Sequence, residues 1–85
     1  MKTFAYTIKD ELGIHARPAG MLAKAAKALD SEITITKGDK TVGATKLMAL
    51  MGLGVKCGDT ITVTANGGNE DAALEEIRNF LEANL

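Results

Sequence analysis

The sequence predicts an α+β fold: a two-layer, open-faced β-sandwich with a four-stranded, mainly antiparallel sheet and three helices on one face. The strand segments alternate apolar and polar residues with the period of two that is typical of strands. Three other segments repeat apolar residues every three or four positions, which is typical of helices that bury one face. Their order along the chain is βαββαβα. Because every strand alternates, we expect one face of the sheet to meet water and the other to lie under the helices.

The first strand and the first helix occupy the N-terminal third of the chain. Aromatic and aliphatic residues alternate with threonine and alanine over residues 2–8, which predicts a strand. From Ala16 to about Asp30 the apolar positions recur at helical spacing, which predicts an amphipathic helix. The stripe expected on that helix consists of Pro18, Met21, Leu22, Ala25, Ala26 and Leu29.

Two strands, a short helix, a strand and a final helix follow. Residues 31–44 predict a hairpin around the turn KGDK, because glycine and aspartate favour tight turns. Residues 45–54 predict a short helix that two glycines terminate. Residues 59–65 predict a strand, and the chain from about Asn69 predicts a helix with one apolar face. That face consists of Ala73, Leu74, Ile77, Phe80 and Leu81.

Composition limits the size, compartment and partners of the chain. Its 85 residues suffice for one domain over residues 1–85, and 46% apolar with 25% charged residues is typical of a folded globular protein. A net charge of −1 favours neither nucleic acid nor an anionic membrane as a partner. The longest nearly apolar run, residues 47–55, is shorter than the roughly 20 residues of a membrane helix. The lone Cys57 cannot form an internal disulfide, which favours a reducing, cytoplasmic location.

The segment LGIHARPAG, residues 12–20, holds the only histidine and the only proline in the chain. If His15 caps the first helix, the next three residues form its first turn, where N–H groups have no intrahelical acceptor. A proline fits there without loss of a hydrogen bond, so Pro18 helps to fix where the helix begins. The free N–H groups of Ala16 and Arg17, the helix dipole and the guanidinium then predict an anion site beside the imidazole.

A histidine inside an anion site is suited to phosphoryl transfer. Neutral imidazole is a nucleophile near neutral pH, and an accepted phosphoryl group would have its oxygens beside these donors. A lone histidine at a helix start is more often only a cap or a surface residue, and it is the neighbours Gly13, Arg17 and Pro18 that favour a functional role. No carboxylate pair, glycine-rich phosphate loop or metal-spaced cluster of histidine and cysteine occurs, so we expect no metal and no cofactor.

The motif GIHARPA, the βαββαβα order and the length of 85 residues together resemble the HPr family, the histidine-containing phosphocarriers of the bacterial sugar phosphotransferase system. The resemblance covers the whole chain and implies the open-faced sandwich. It implies that His15 accepts a phosphoryl group through Nδ1 from enzyme I, which phosphoenolpyruvate charges, and passes it to the IIA domains of sugar permeases. Arg17 would assist the transfer. Such a protein is a carrier rather than an enzyme, and we expect a monomer that can also meet transcriptional or metabolic regulators.

Lys46 departs from the pattern of that family. Its members usually have a serine at the start of the second short helix, which a regulatory kinase phosphorylates in many Gram-positive bacteria to control carbon metabolism. Lysine offers no hydroxyl, so we expect regulation through this position to be absent. The adjacent Thr45 offers a hydroxyl, although a threonine before a helix is more often its N-cap.

The resemblance also implies a partner-docking surface beside the histidine. Its residues are Gly20, Lys24, Leu47, Met48 and Met51. Helical spacing alone favours core packing for Leu47 and Leu50, and it leaves the two methionines open between the core and a contact surface. An apolar centre with a rim of Arg17, Lys24 and Lys46 would suit acidic partners.

Two other functions remain open for this sequence. A regulatory relative, or a carrier in a nitrogen-linked relay, would use the same surface without serving sugar uptake, and Lys46 is the residue that suggests it. A small phosphate-ester hydrolase of the acylphosphatase kind is compatible with an arginine between the first strand and the first helix. The loop lacks a glycine-rich oxyanion cradle and a clearly placed asparagine, which counts against the hydrolase.

Overall fold

Four strands and three helices follow the predicted order in the computed structural model, which describes residues 1–85. The strands are β1 (Lys2–Thr7), β2 (Glu32–Lys37), β3 (Lys40–Gly43) and β4 (Thr60–Asn66). The helices are α1 (Ala16–Lys27), α2 (Leu47–Gly52) and α3 (Glu70–Asn84). All four strands form one sheet in the order β1-β4-β2-β3, and every pair is antiparallel. The predicted α+β fold is confirmed.

The register of the strands gives the sheet one apolar face and one polar face. Phe4 lies opposite Val63, and Val63 lies opposite Ile35, so the apolar positions of three strands fall in one row. The fully buried positions of this face are Ile33, Ile35, Ile61, Val63 and Ala65. The other face carries threonines, among which Thr36 and Thr41 share a hydroxyl hydrogen bond of 2.8 Å. Strands with a period of two therefore sort their residues between core and solvent, as predicted.

The three helices complete one core cluster of 19 buried residues on the apolar side of the sheet. Leu22 of α1 and Ile77 of α3 are fully buried there. α3 begins at the predicted place, because the Asn69 side chain accepts the N–H of Ala72 and satisfies a donor that the helix leaves free. The longest helix has 15 residues. No helix is both long enough and apolar enough to cross a bilayer.

Several predicted boundaries differ from the structure by one to three residues, as the ends of β1 and α1 illustrate. β1 ends at Thr7, and Ile8 leaves the strand while remaining buried. α1 ends at Lys27 rather than near Asp30. The N–H groups of the next two residues donate to carbonyls three positions back, in the tighter turn that commonly ends a helix.

Two residues predicted to face the core are exposed. Met21 is 43% exposed, because α1 buries its neighbour Leu22 and successive residues of a helix point about 100° apart. Leu47 is 39% exposed, whereas Leu50 is buried as predicted. α2 has six residues, fewer than two turns, and Leu50 together with the following Leu53 fills its inner side. Spacing identified these helices correctly but overestimated the width of their buried stripes.

The segment between β1 and α1 rests on the turn that precedes β4. Ile8 donates its N–H to the Asp59 carbonyl at 2.9 Å and accepts the N–H of Gly58 at 2.8 Å. Ile14, at the other end of the segment, donates to the Val55 carbonyl at 3.1 Å. Residues 55–59 therefore support both ends of the segment that leads to the first helix.

Gly13 allows the two loops to approach closely. Its φ of +70° lies in the left-handed region that favours glycine. A Cβ atom added there would overlap the Val55 carbonyl oxygen and would lie 2.6 Å from the Cα of Lys56. Both the backbone conformation and the space therefore require glycine at this position.

An ion pair between Asp59 and Lys37 connects the supporting turn, residues 55–59, to the hairpin formed by β2 and β3. Asp59 accepts the Lys56 N–H at 2.9 Å and pairs with the Lys37 ammonium at 3.0 Å. Lys37 also donates to the Gly54 carbonyl at 2.9 Å. The hydrogen bond from Lys56, followed by that from Lys37, lowers the pKa of the Asp59 carboxyl below 3.8.

Gly13→Ala should destabilise the fold by about 1–3 kcal/mol or more, because alanine is strained in the left-handed conformation and its Cβ atom would collide with the backbone of Val55 and Lys56. Urea denaturation followed by circular dichroism measures the change. Gly20→Ala is the matched control, since Gly20 lies inside α1 and no heavy atom lies within 4 Å of an added Cβ. This control should stabilise the fold by about 0.5–1 kcal/mol. Similar values for the two variants would contradict the packing role of Gly13.

Asp59→Asn should lower the free energy of unfolding at about pH 6 and have progressively less effect below about pH 4. The folded-state pKa of Asp59 is lowered, so its ionised form stabilises the fold above 3.8, and that contribution is lost as the pH falls through the lower folded value. Urea denaturation of variant and parent across this range measures the difference. Asp39→Asn removes the same charge from the exposed hairpin turn and is the control. A difference that stays constant down to about pH 2 would contradict this linkage.

Candidate functional site

His15 caps α1 through its backbone, and its imidazole takes no part in the cap. Its φ of −112° and ψ of −178° are extended, and its carbonyl accepts the Ala19 N–H at 3.0 Å. The side chain makes no capping hydrogen bond and is 38% exposed. The predicted N-cap position is confirmed, and the ring can be reached from solvent.

The first turn of α1 supplies free donors beside this ring. Ala16 and Arg17 are the first two helical residues, so their N–H groups have no intrahelical acceptor. Pro18 follows, buried and without an N–H to satisfy, and Ala19 is the first residue of the turn whose N–H is bonded. The positive end of the helix dipole lies at the same place. The structure thus brings together the histidine, the two amides and the exposed Arg17 as predicted.

A shallow depression surrounds the imidazole and draws on three parts of the chain. Its lining consists of Asp10, His15, Arg17, Pro18, Met21, Ala83 and Asn84. Asp10 comes from the loop before α1, and the last two come from the final turn of α3. The depression is open to solvent on its outer side.

Sequence reasoning missed Asp10, Met21 and Asn84 at this site. Met21 follows Arg17 by four residues, so helical spacing could have placed the two on one face. Asp10 belongs to a loop without periodicity, and its position depends on tertiary contacts. Asn84 is brought to the site only by the packing of α3, where its side chain also donates to the Phe80 carbonyl at 3.0 Å.

The residues expected to dock partners are accessible on two helices that pack against each other, α1 and α2. On α1, Lys24 is exposed and Gly20 is partly exposed. On α2, Met48 is 78% exposed, and Leu47 and Met51 are each 39% exposed. We call these residues, with the exposed Met21, the α1–α2 surface. Its members are Gly20, Met21, Lys24, Leu47, Met48 and Met51.

Lys46, not Thr45, is the N-cap of α2. Its N–H donates to the Gly43 carbonyl at 3.1 Å, and its carbonyl accepts the Leu50 N–H at 3.0 Å. The interpretation of Thr45 as the cap is wrong, because the turn that leaves β3 places that residue one position too early. The lysine side chain makes no cap hydrogen bond. It lines a second open cleft, together with Lys27 and Thr45, between the end of α1 and the hairpin.

A protein-family comparison matches almost the whole chain. The family model described as the phosphorylation site of the HPr component of the phosphotransferase system matches residues 2–83. The phosphocarrier protein HPr of Mycoplasma genitalium is 42% identical over 85 residues, which cover 99% of this chain and 97% of the relative. The phosphocarrier protein HPr of Mycoplasma pneumoniae is 40% identical over 83 residues, which cover 96% and 94% of the two chains.

Solved structures of similar sequence have the same fold. HPr from Thermoanaerobacter tengcongensis superposes with a TM-score of 0.92 at 34% identity, covering 98% of this chain and 93% of that one. The histidine-containing phosphocarrier protein from Mycoplasma also gives 0.92, at 35% identity, with 96% and 93% coverage. An HPr dimer from Thermoanaerobacter tengcongensis gives 0.76 at 34% identity, covering 98% and 95%. The motif around His15, the sheet order and these matches agree: the chain belongs to the HPr family of phosphocarriers of the phosphotransferase system.

Proposed function

We propose that this chain carries a phosphoryl group on His15, which it accepts from enzyme I and passes to the IIA domains of sugar permeases. The observation that supports this most directly is the position of the only histidine, at the start of α1 beside two free amides and Arg17. The ring is accessible, and the donors beside it suit the oxygens of a phosphoryl group.

The transfer needs a nucleophile and stabilisation of negative charge. The lone pair of Nδ1 forms a bond to phosphorus while the bond between phosphorus and the donor breaks, and the donor atom keeps that electron pair. The N–H groups of Ala16 and Arg17, with the guanidinium, stabilise the charge on the phosphoryl oxygens. In the second transfer, a nucleophile of the next acceptor forms a bond to phosphorus while the bond between phosphorus and Nδ1 breaks, and Nδ1 regains that electron pair. No water is consumed, so the chain acts as a carrier and not as a hydrolase.

The α1–α2 surface is the proposed docking site for both partners. Exposed methionines adapt to partners of different shape, which suits a carrier that has to bind a donor and several acceptors in turn. The cationic side chains of Arg17, Lys24 and Lys46 lie on the same two helices or at their starts and favour acidic partners. Met21 connects this surface to the depression around the imidazole.

Lys46 supports a carrier without serine-linked control at this position. The residue has no hydroxyl, and a kinase that modifies serine at the start of the second helix has no acceptor there. The alternative is a regulatory or nitrogen-relay protein with the same surface. Expression in a bacterial strain that lacks its own sugar carrier separates the two, because a carrier restores sugar uptake and a regulator does not.

With enzyme I and phosphoenolpyruvate, the parent chain should acquire an acid-labile, alkali-stable phosphate, and His15→Ala should acquire none. Loss of the only imidazole removes the acceptor without altering the backbone cap. Phosphorus NMR of the product reports the residue and the ring nitrogen, and circular dichroism verifies that the variant folds. Equal labelling of His15→Ala, or no labelling of the parent, would show the proposal to be wrong.

Met48→Glu should raise the KM of enzyme I for the chain by roughly tenfold with little change in kcat, because an acidic side chain opposes acidic partners at an apolar contact. Initial rates of phosphoryl transfer at varied chain concentration measure both constants. Thr3→Glu adds the same charge at an exposed position on the uncovered face of the sheet and should leave both constants unchanged. Equal effects of the two substitutions would exclude docking through Met48.

A further inference from the structure

Asp10 is held in one orientation by its own backbone and side chain. Its N–H donates to the Leu85 carbonyl at 2.9 Å, and its carbonyl accepts the Gly13 N–H at 3.0 Å. Its Oδ1 accepts the Leu12 N–H at 2.8 Å, an Asx-type turn within the loop. Two hydrogen bonds thus hold the backbone of Asp10, and a third holds its carboxylate in one direction.

That direction places the carboxylate beside one nitrogen of the imidazole. Oδ1 of Asp10 lies 3.9 Å from Nε2 of His15, too far for a hydrogen bond but close enough for a direct electrostatic interaction. Asp10 is the only carboxylate among the residues that line the depression. The charged group facing the ring from α1 is Arg17, and the α3 residues there, Ala83 and Asn84, are uncharged.

We propose that Asp10 is a positioning residue that selects Nδ1 of His15 as the phosphoryl acceptor. Its negative charge favours the tautomer with the proton on Nε2, which leaves the lone pair on Nδ1. A phosphoryl group on Nε2 would instead stand next to a like charge. This inference rests on the proposed carrier function and deepens it, because it names what in this chain sets the reacting atom.

The same charge acts again after the transfer. The phosphorus bonds to Nδ1 while Nε2 keeps its proton throughout, so the phosphorylated ring carries a positive charge. Asp10 lies nearest Nε2, the protonated nitrogen, and stabilises that charge there. No proton has to move to or from Asp10, and the carboxylate makes no contact with phosphorus.

The test is the tautomer ratio of neutral His15 in Asp10→Asn, measured by nitrogen-15 NMR of the ring at about pH 9. The amide oxygen can still accept the Leu12 N–H, so the loop keeps its turn while the charge is removed. We expect the ratio of Nε2–H to Nδ1–H tautomers to fall by about two- to fivefold. Glu11→Gln, which removes the adjacent charge from an exposed side chain, is the control and should leave the ratio unchanged.

Phosphorylation by a small phosphoramidate donor, which needs no docking surface, gives an independent readout. The parent should be modified at Nδ1, and Asp10→Asn should give an increased share of product at Nε2, as resolved by phosphorus NMR. A purely structural role of Asp10 would slow the reaction without changing this share. Asp10→Ser, whose hydroxyl can also accept the Leu12 N–H, repeats both measurements if the asparagine variant does not fold.

An unchanged tautomer ratio and an unchanged product share in the folded variants would overturn the role of Asp10, while leaving His15 as the acceptor from enzyme I. Conversely, a parent that takes no phosphate from enzyme I would refute the carrier function. The tautomer ratio is measured without any partner, so it decides the role of Asp10 toward the ring in either case.

Discussion

The contact between Gly13 and the backbone of Val55 and Lys56 is the constraint on which the site depends. It fixes the path of the chain into α1, because the segment before the helix can approach the supporting turn only without a Cβ atom. The Ile14 N–H then bonds to the Val55 carbonyl, and the next residue becomes the N-cap. The positions of the imidazole, the free amides and the positive end of the helix dipole all follow from this approach.

A carrier needs an exposed reacting group more than it needs a deep pocket. The imidazole lies in an open depression, and its stabilising donors belong to the backbone and to a side chain one turn or less away. Such donors are already in place in the chain alone, so the proposed transfer would require little reorganisation in either direction. The neighbouring α1–α2 surface exposes apolar side chains to water, which is energetically unfavourable for the chain alone. Such a surface is consistent with repeated, short-lived contacts with partner proteins.

The sequence was informative wherever structure is local. Alternation located the strands, helical spacing located the helices, and the single motif around His15 located its cap and the first-turn amides. The errors arise where tertiary packing or the exact length of a turn decides the position of a residue. Helical spacing favours the core for Met21 and Leu47, although the family resemblance places Leu47 on the docking surface, because spacing shows the direction of a buried face but not its width. Asp10 and Asn84 reach the imidazole through tertiary packing that has no periodic signal. Lys46 and not the adjacent Thr45 caps α2, because the length of the turn after β3 determines which residue begins the helix.

The bonds from Lys9 and Asp10 to the Leu85 carbonyl have a consequence for the newly made chain. The ribosome makes Lys9 and Asp10 early and Leu85, whose carbonyl accepts their hydrogen bonds, much later. β1 and α1 therefore emerge long before these two hydrogen bonds can form. Until α3 has docked, the amides of residues 9 and 10 remain bonded to water, and the surroundings of the histidine are not assembled. If the chain carries phosphate as proposed, its ability to receive a phosphoryl group would therefore arise only when α3 has packed, and a chain that lacks Leu85 would be a poorer acceptor.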